Sequence, residues 1–339
     1  MNNKDEIQPP SATKILIIRL SSIGDIVLTT PVVRAIKAEI PNVELHYLTK
    51  KANEQVLEYN PYIDKLHFYD SQNKKNLFEA LSAERFDVVV DLQKNHRSRQ
   101  VARKLHALRF TFPKVNFKKW MCVRLKLNFL PDVHIVSRYF EAVRDLGVYN
   151  DQKGLDFFIP EDCGFDEDDL PMVCEDGFVA VVLAGQHATK RIPVSKIVEI
   201  GSILHKPIIL LGGKDVAAAG DEVVAELGDR AYNACGKYTL YQSCSLVKQA
   251  NCVITGDTGL MHVAAAYHKQ TAVIWGNTIP EFGMYPYMPG HRELFRNFEV
   301  CPLACRPCSK LGHKKCPHKH FKCMNNISAV EVAEWVNKF

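Results

Sequence analysis

No apolar run in this 339-residue chain reaches the ~20 residues that cross a bilayer as a helix. The opening stretch, MNNKDEIQPPSATK, has no apolar core and carries Asp5 and Glu6, so it does not read as a secretory signal. It is expected to be a disordered lead-in over residues 1–13, on a cytoplasmic protein. No G-x-G-x-x-G follows the first strand candidate and no G-x-x-x-x-G-K-[ST] occurs, which argues against a dinucleotide oxidoreductase and a P-loop NTPase. No D-x-D triplet stands at a strand end, which disfavours metal-dependent transfer chemistry on a single-domain fold. Acidic residues are also missing between Asp91 and Asp132, where eleven lysines and arginines run from Lys94 to Lys126. A face of one sign attracts anionic partners: nucleic acid, an acidic glycolipid or a membrane surface. It can equally be a solvated face.

The length suits two domains of ~100–200 residues each. Strand candidates at Ile15–Leu20, Val43–Leu48, Lys65–Tyr69, Val88–Asp91 and Leu108–Phe112 alternate with helical stretches. These include Ile26–Glu39, Glu54–Tyr59, Leu77–Glu84, Ser98–His106 and, after the basic stretch, His134–Leu146. The pattern repeats with strands at Phe178–Leu183, Pro207–Leu211, Cys252–Thr255 and Thr271–Ile274. Such alternation predicts α/β architecture with parallel sheets covered on both faces. An acidic segment between Pro160 and Gly177 reads as a linker, dividing residues 14–165 from 166–326. Ser328-Ala-Val-Glu331 is a capping-box signature, and its helix, within 327–339, is of a kind that can cross back to the first domain.

Eleven cysteines are present, six of them scattered as small buried hydrophobes would be. The other five form Cys301-x3-Cys305-x2-Cys308-x7-Cys316-x6-Cys323, with His313, His318 and His320 between them. Structural zinc, or reduced cysteines packing a loop-rich lid, both fit this cluster.

Open parallel sheets bind ligands at the carboxyl ends of their strands. Three polar loops are expected there: Ser21–Asp25, Ala184–Arg191 and Gly256–His262. Thr258 would open a helix whose free amides suit a diphosphate. Gly256 and Gly259 let the backbone approach a ligand. His262 lies one turn on, and Asp257 suits sugar hydroxyls better than phosphate. Taken alone, Asp257 reads as well as a helix cap and His262 as a core residue. Lys190 and Arg191 suit a departing diphosphate, though surface Lys-Arg pairs are common. Asp25, where the first helix opens, can accept a proton from an attacking hydroxyl or simply cap that helix.

In this order, the segments resemble glycosyltransferase family 9, the heptosyltransferases. The resemblance rests on Arg19-Leu-Ser-Ser-Ile-Gly-Asp-Ile-Val-Leu-Thr-Thr-Pro31, on Gly256-Asp-Thr-Gly-Leu-Met-His262 and on Trp275-Gly276-Asn277-Thr278. It implies a GT-B fold of two Rossmann-like domains facing a cleft, with acceptor on the first and donor on the second. It implies inversion at the anomeric carbon, no metal and no other cofactor. It also implies ADP-heptose or a related nucleotide-diphosphate sugar as donor, and a lipopolysaccharide or lipooligosaccharide inner core as acceptor. Asp25 matches the general base and Lys190 the diphosphate-binding lysine. Thr189, Arg191, Asp257, Thr258, Gly259 and His262 complete the donor set. Asp215 is a candidate partner for the nucleotide's ribose or base. Ser22, Gly24, Lys118, Lys119 and Arg124 are the acceptor-side candidates. The anionic, lipid-linked acceptor would bring the protein peripherally to the inner face of the inner membrane; nucleic acid is not an expected partner. The alternatives are a family-9 enzyme with another donor or acceptor, and a zinc- or nucleic-acid-binding protein using the basic and cysteine-rich segments.

Overall fold

The computed structural model describes residues 12–339. The lead-in expected over residues 1–13 therefore lies outside the described residues, apart from its last positions, and Thr13 already belongs to the first strand.

The first sheet contains β1 (Thr13–Ile18), β2 (Val43–Thr49), β3 (Lys65–Phe68), β4 (Val88–Asp91) and β5 (Leu108–Thr111). Its order is β3-β2-β1-β4-β5, and every pairing is parallel. The second contains β6 (Val179–Val182), β7 (Ile208–Leu211), β8 (Ala231–Asn233), β9 (Cys252–Thr255), β10 (Gln270–Trp275) and β11 (Phe295–Glu299). It runs β11-β10-β9-β6-β7-β8, again wholly parallel.

Helices cover both faces. In the first half they are α1 (Ile23–Val27), α2 (Thr30–Glu39), α3 (Lys74–Ala83), α4 (His96–Lys104), α5 (Asn116–Leu125) and α6 (Ile135–Phe140). In the second they are α7 (Val194–Ile203), α8 (Ala217–Leu227), α9 (Leu240–Gln249), α10 (Gly259–Ala266), α11 (Lys322–Asn325) and α12 (Ala329–Val336).

The alternation of side chains along β1 sets the layers. Leu16 and Ile18 pack with Leu77, Leu81 and Val101 of α3 and α4. Ile15 and Ile17 face the other way, into a cluster shared with Val33 and Ile36 of α2. That cluster continues through Val263 and Ala264 of α10 to Ala180 and Val182 of β6. One apolar layer thus joins the two domains. The opposite side of β6, with Val179 and Val181, packs on Ile197 and Ile200 of α7.

Several elements differ from the sequence expectation. The single helix over Ile26–Glu39 is two, because Pro31 in the first positions of α2 cannot donate a backbone hydrogen bond and so begins a new helix. Residues Lys51–Val56 form a 3₁₀ turn in place of a helix over Glu54–Tyr59. β8 and β11 were not expected; they are short or polar edge strands with little apolar patterning. The basic stretch contains α5, whose bounds were not read from the sequence.

The final helix is corrected too. Val332, Ala333, Trp335 and Val336 of α12 complete the second domain's own core beside Ile197 and Ile200, and do not cross back to the first domain. The Ser328 side chain caps α12 by accepting the Glu331 amide (3.2 Å). Asn337 fastens its far end, donating to the Ile203 carbonyl (3.1 Å) and accepting the His205 amide (2.9 Å).

The connection between domains engages both well before Pro160. Asp151 and Asp156 pair with Arg34 of α2. Further along, the Phe157 carbonyl accepts the Tyr267 hydroxyl (3.1 Å) and the Phe165 carbonyl accepts the Gln249 amide (2.8 Å).

Candidate active site

Strand order reverses between β1 and β4 and between β6 and β9, opening a crevice at the carboxyl end of each sheet. The loops after β1, β6 and β9 lie at these two reversals. α1 and α10 then meet across the domain junction. A Cβ placed on Gly24 would come 2.6 Å from His262 Cδ2 and 3.2 Å from the Gly259 Cα. Only glycine allows this approach, so Gly24 acts by having no side chain.

Asp25 is the third residue of α1. One carboxylate oxygen meets Arg19 Nη2 at 2.6 Å. The other accepts the Ser22 amide (3.1 Å) and the Ser22 hydroxyl (2.8 Å). Burial alone would raise the pKa of Asp25, but Arg19 and the Ser22 donors outweigh it and hold the carboxyl below its ordinary range. The ion pair, more than the dipole of so short a helix, keeps Asp25 ionised. Arg19 is fixed in turn by the Leu92 carbonyl (2.6 Å), the Tyr139 hydroxyl (3.0 Å) and the Ser21 carbonyl (3.0 Å).

On the facing domain, Lys190 Nζ pairs with Asp257 at 2.6 Å, and the Thr278 hydroxyl donates to the same carboxylate (3.0 Å). Thr258 caps α10, its hydroxyl accepting the Met261 amide (3.4 Å) and bonding to the Thr255 hydroxyl (2.9 Å). His262 is buried, its pKa pushed down to about 4 by burial, so the imidazole is neutral at pH 7. Its Nδ1 has no hydrogen-bond partner among the described residues. The neutral ring stands where α1 and α10 meet, within reach of the charges of Asp25 and Asp257.

The adjacent cations and their neighbour Thr189 go to different partners. Arg191 donates from Nε to the Gly185 carbonyl (2.8 Å) and pairs with Asp215 at 2.5 Å. The candidate ribose partner Asp215 is therefore engaged by Arg191. Thr189, expected to touch donor, is buried. Its hydroxyl donates to the His313 carbonyl (3.2 Å) and accepts the His313 amide (2.8 Å), tying this loop to the cysteine-rich segment.

α5 brings the acceptor-side candidates to the same junction. Lys119 lies with its Nζ 5.0 Å from the centre of the Phe282 ring. Burial and the charge of Arg138 push its pKa down to about 8, against the pull of Asp25 and Asp257. Arg124 joins Lys119, Trp120, Lys126, Lys310 and His313 around a cavity of about 480 Å³ that carries no acidic residue. Lys118 is exposed on the same helix. Not every cation of the basic stretch is available. Arg109 pairs with Asp91 (2.6 Å), and Lys126 donates to the carbonyls of Cys305 (3.1 Å) and Pro307 (2.8 Å).

Several residues of the site were missed in the sequence. Arg19 and Thr278 stood inside the quoted signatures without a role. A lone cation closing an apolar strand was the available signal for Arg19, because a buried guanidinium requires a carboxylate. Asn277 is 1% exposed, and neither its amide nitrogen nor its oxygen has a partner among the described residues. Lys310 and His313 come from a segment read only for its cysteines.

Elsewhere, His46, His67 and Glu84 bring ligand-type atoms within 4.8 Å of one another. Those atoms are already used. His46 bridges His67 (2.9 Å) and Glu44 (2.7 Å), while Glu84 pairs with Lys14 and Lys65.

Residues 75–321 match the family model described as glycosyltransferase family 9 (heptosyltransferase). The chain belongs to glycosyltransferase family 9. Over 310 residues it is 27% identical to lipopolysaccharide heptosyltransferase 1 of Campylobacter coli, covering 84% of this chain and 86% of the relative. A family 9 glycosyl transferase from Veillonella parvula has a similar structure, with a TM-score of 0.74 at 22% identity and 98% of each chain covered. The E. coli ADP-heptose lps heptosyltransferase II gives a TM-score of 0.71 at 20% identity, over 96% of this chain and 98% of that one. The family-9 chain thus has the GT-B fold, two Rossmann-like domains facing a cleft, and is a glycosyltransferase. Among the described residues, no helix is long and apolar enough to cross a membrane.

Proposed function

We propose that this family-9 glycosyltransferase moves a heptose, or a closely related sugar, from ADP-heptose to the inner core of lipopolysaccharide or lipooligosaccharide, with inversion and without a divalent ion in the transfer step. The carrying observation is the meeting of α1 and α10, which sets Asp25 of one domain against Lys190, Asp257 and His262 of the other. The names of the relatives support the donor and the acceptor.

In this mechanism the donor diphosphate occupies the start of α10 and draws Lys190 from Asp257. Asp257 and His262 are then free for sugar hydroxyls. Asp25, oriented by Arg19 and Ser22, takes the proton of the acceptor hydroxyl as its oxygen attacks the anomeric carbon from the face opposite the diphosphate. Lys190 and the α10 amides hold the departing diphosphate. Incubation with ADP-heptose and a heptose-free core acceptor is expected to yield ADP and a product of inverted anomeric configuration, read by NMR. Hydrolysis without transfer, or turnover only with another nucleotide sugar, overturns this assignment.

Transfer is expected to proceed without added magnesium or manganese and to survive brief EDTA treatment, since Lys190 and a helix terminus supply the positive charge at the leaving group. Activity lost to EDTA and restored only by magnesium or manganese contradicts this.

The exposed side of α5 supports an anionic, lipid-linked acceptor at the inner membrane face. Phe117 stacks on Trp120 with ring centres 5.9 Å apart, and both are more than half exposed, as are Leu125 and Phe129 nearby. Cations beside exposed aromatics suit a lipid boundary. Charge reversal at Lys118, Lys119 and Arg124 is expected to raise the KM for lipid-linked acceptor, leave donor affinity unchanged and reduce sedimentation with anionic liposomes. Unaltered acceptor kinetics and liposome binding from low to physiological salt leave these residues as an ordinary solvated face.

Lys119 gives a pH signature. It is charged below its pKa of about 8 and neutral above it. The acceptor KM is therefore expected to rise as pH passes through that value, with little change in donor KM. Lys119→Arg keeps its charge and should flatten the rise; persistence of the rise in that variant assigns it to another group.

A further inference from the structure

The stretch 300–321, between β11 and α11, contains no helix or strand and no acidic residue. It follows the last strand of the second domain, yet it forms the cavity of about 480 Å³ together with α5 of the first. Two sets of contacts hold it there. Arg306 anchors it to its own domain, donating to the carbonyls of Gly276 (2.7 Å), Thr278 (3.0 Å) and Val300 (3.0 Å) and pairing with Glu299 (2.8 Å). Lys126, which closes α5, reaches over from the first domain to the carbonyls of Cys305 and Pro307.

Beyond this anchor the chain turns tightly. The Ser309 hydroxyl oxygen accepts the amides of Leu311 and Gly312, each at 3.0 Å. Gly312 has φ +126°, and a Cβ there would come 2.5 Å from the Cβ of His187, so the turn requires glycine. His313 then bonds to Thr189, next to Lys190. Lys310 stands in this turn and lines the cavity opposite Lys119 and Arg124 of α5.

The charges of the cavity are unanswered. None of its lining residues is acidic, and among the described residues Lys119, Arg124 and Lys310 have no carboxylate partner. Burial and the charge of Arg138 push the Lys119 pKa down to about 8, and Lys310 adds to that pressure. Asp25 and Asp257 are near enough to act on the same ammonium, so the cavity opens beside the reacting groups. A chamber of ligand size with cations of one sign on both walls favours an acidic occupant.

Building on the anionic acceptor already proposed, we infer that this cavity takes one acidic group of the acceptor saccharide, a phosphate or a carboxylate, and that Lys310 of the second domain grips it together with Lys119 and Arg124 of the first. The acidic group then bridges the two domains. The turn that it fastens is the one bonded to Thr189, beside the lysine that meets the donor diphosphate. Recognition of the acid thus requires the second domain and is more than a property of α5.

The test has two arms. Delipidated core saccharides carrying a phosphate, a carboxylate or neither are compared as acceptors, which removes any contribution of a lipid boundary. The preference for an acidic over a neutral acceptor, as a ratio of kcat/KM, is expected to fall about tenfold in Lys310→Ala, the scale of one charge-assisted hydrogen bond. Lys310→Arg should keep it, and the acid whose preference falls is the one the cavity takes. A preference unchanged in Lys310→Ala overturns the inference. The second arm needs no turnover. In a Lys190→Ala background, which weakens the diphosphate site, sodium phosphate and sodium acetate are titrated while the fluorescence of Trp120, on the cavity wall, is followed. A saturable change is expected that is absent from Trp120→Phe and lost on adding Lys310→Ala. If no saccharide accepts a sugar, the transfer reading fails and this arm decides alone. No saturable change, or one that Lys310→Ala leaves intact, overturns the cavity as a site for an acidic group.

Discussion

Asp25→Asn is expected to lower turnover by about 10²–10⁴-fold, the usual cost of removing a general base, while affinity for the nucleoside diphosphate stays nearly intact. The amide keeps the size of the side chain and can still accept from Ser22, but it cannot take a proton from the acceptor hydroxyl. The variant also leaves buried Arg19 without its 2.6 Å counter-ion, so some loss of stability is expected and a melting curve must accompany the kinetics. A companion change separates chemistry from folding. Arg19 holds the Asp25 carboxyl ionised to lower pH than usual, so Arg19→Gln should raise that pKa and move the acid limb of the kcat/KM profile upward. Near wild-type turnover in a folded Asp25→Asn protein at neutral pH rejects Asp25 as the base. An unmoved acid limb in Arg19→Gln rejects Arg19 as the residue that tunes it.

Lys190→Ala is expected to reduce turnover by about 10²–10³-fold, the scale of losing a preorganised charge-stabilising group, and to weaken binding of the nucleoside diphosphate product with it. Its pairing with Asp257 makes this variant more damaging than loss of an isolated lysine. Asp257 would remain, largely buried with 13% of its side chain exposed, and would face the incoming phosphates without a counter-charge. Both binding and departure of the diphosphate suffer, so product affinity from calorimetry and single-turnover rates should fall together. Lys190→Arg should recover part of both. Product affinity unchanged in Lys190→Ala removes Lys190 from the diphosphate site, and a loss confined to stability makes the pair an internal strut.

The strand-end loops were legible because their signals are local. An apolar run such as Ile15–Ile18, followed by small and polar residues and then a helical period, marks a sheet's carboxyl edge whatever the rest of the chain does. The boundaries of α1 and α2 were less legible, since Pro31 restarts the helix inside one continuous apolar pattern. β8 and β11 were hidden because edge strands need only one partner and little apolar surface. α12 carried a readable apolar stripe, but nothing local says which core that stripe completes; Ile197 and Ile200 decide it.

By itself, the sequence determined two α/β units and the loops at their strand ends, and it offered Asp25, Lys190, Asp257 and His262 as candidates for a sugar-diphosphate site. These follow from periodicity and short motifs, which depend on neighbours along the chain. Only the tertiary structure decided who pairs with whom: Arg19 with Asp25, Lys190 with Asp257, Arg191 with Asp215 and Thr189 with His313. It also decided that α5 and the cysteine-rich segment share one cavity. Ion pairing and burial act over a few ångströms in space. Which distant loops come that close is set by the packing of α1 on α10 across the domain junction, where Gly24 leaves room for His262 and Gly259 leaves room for Ile23.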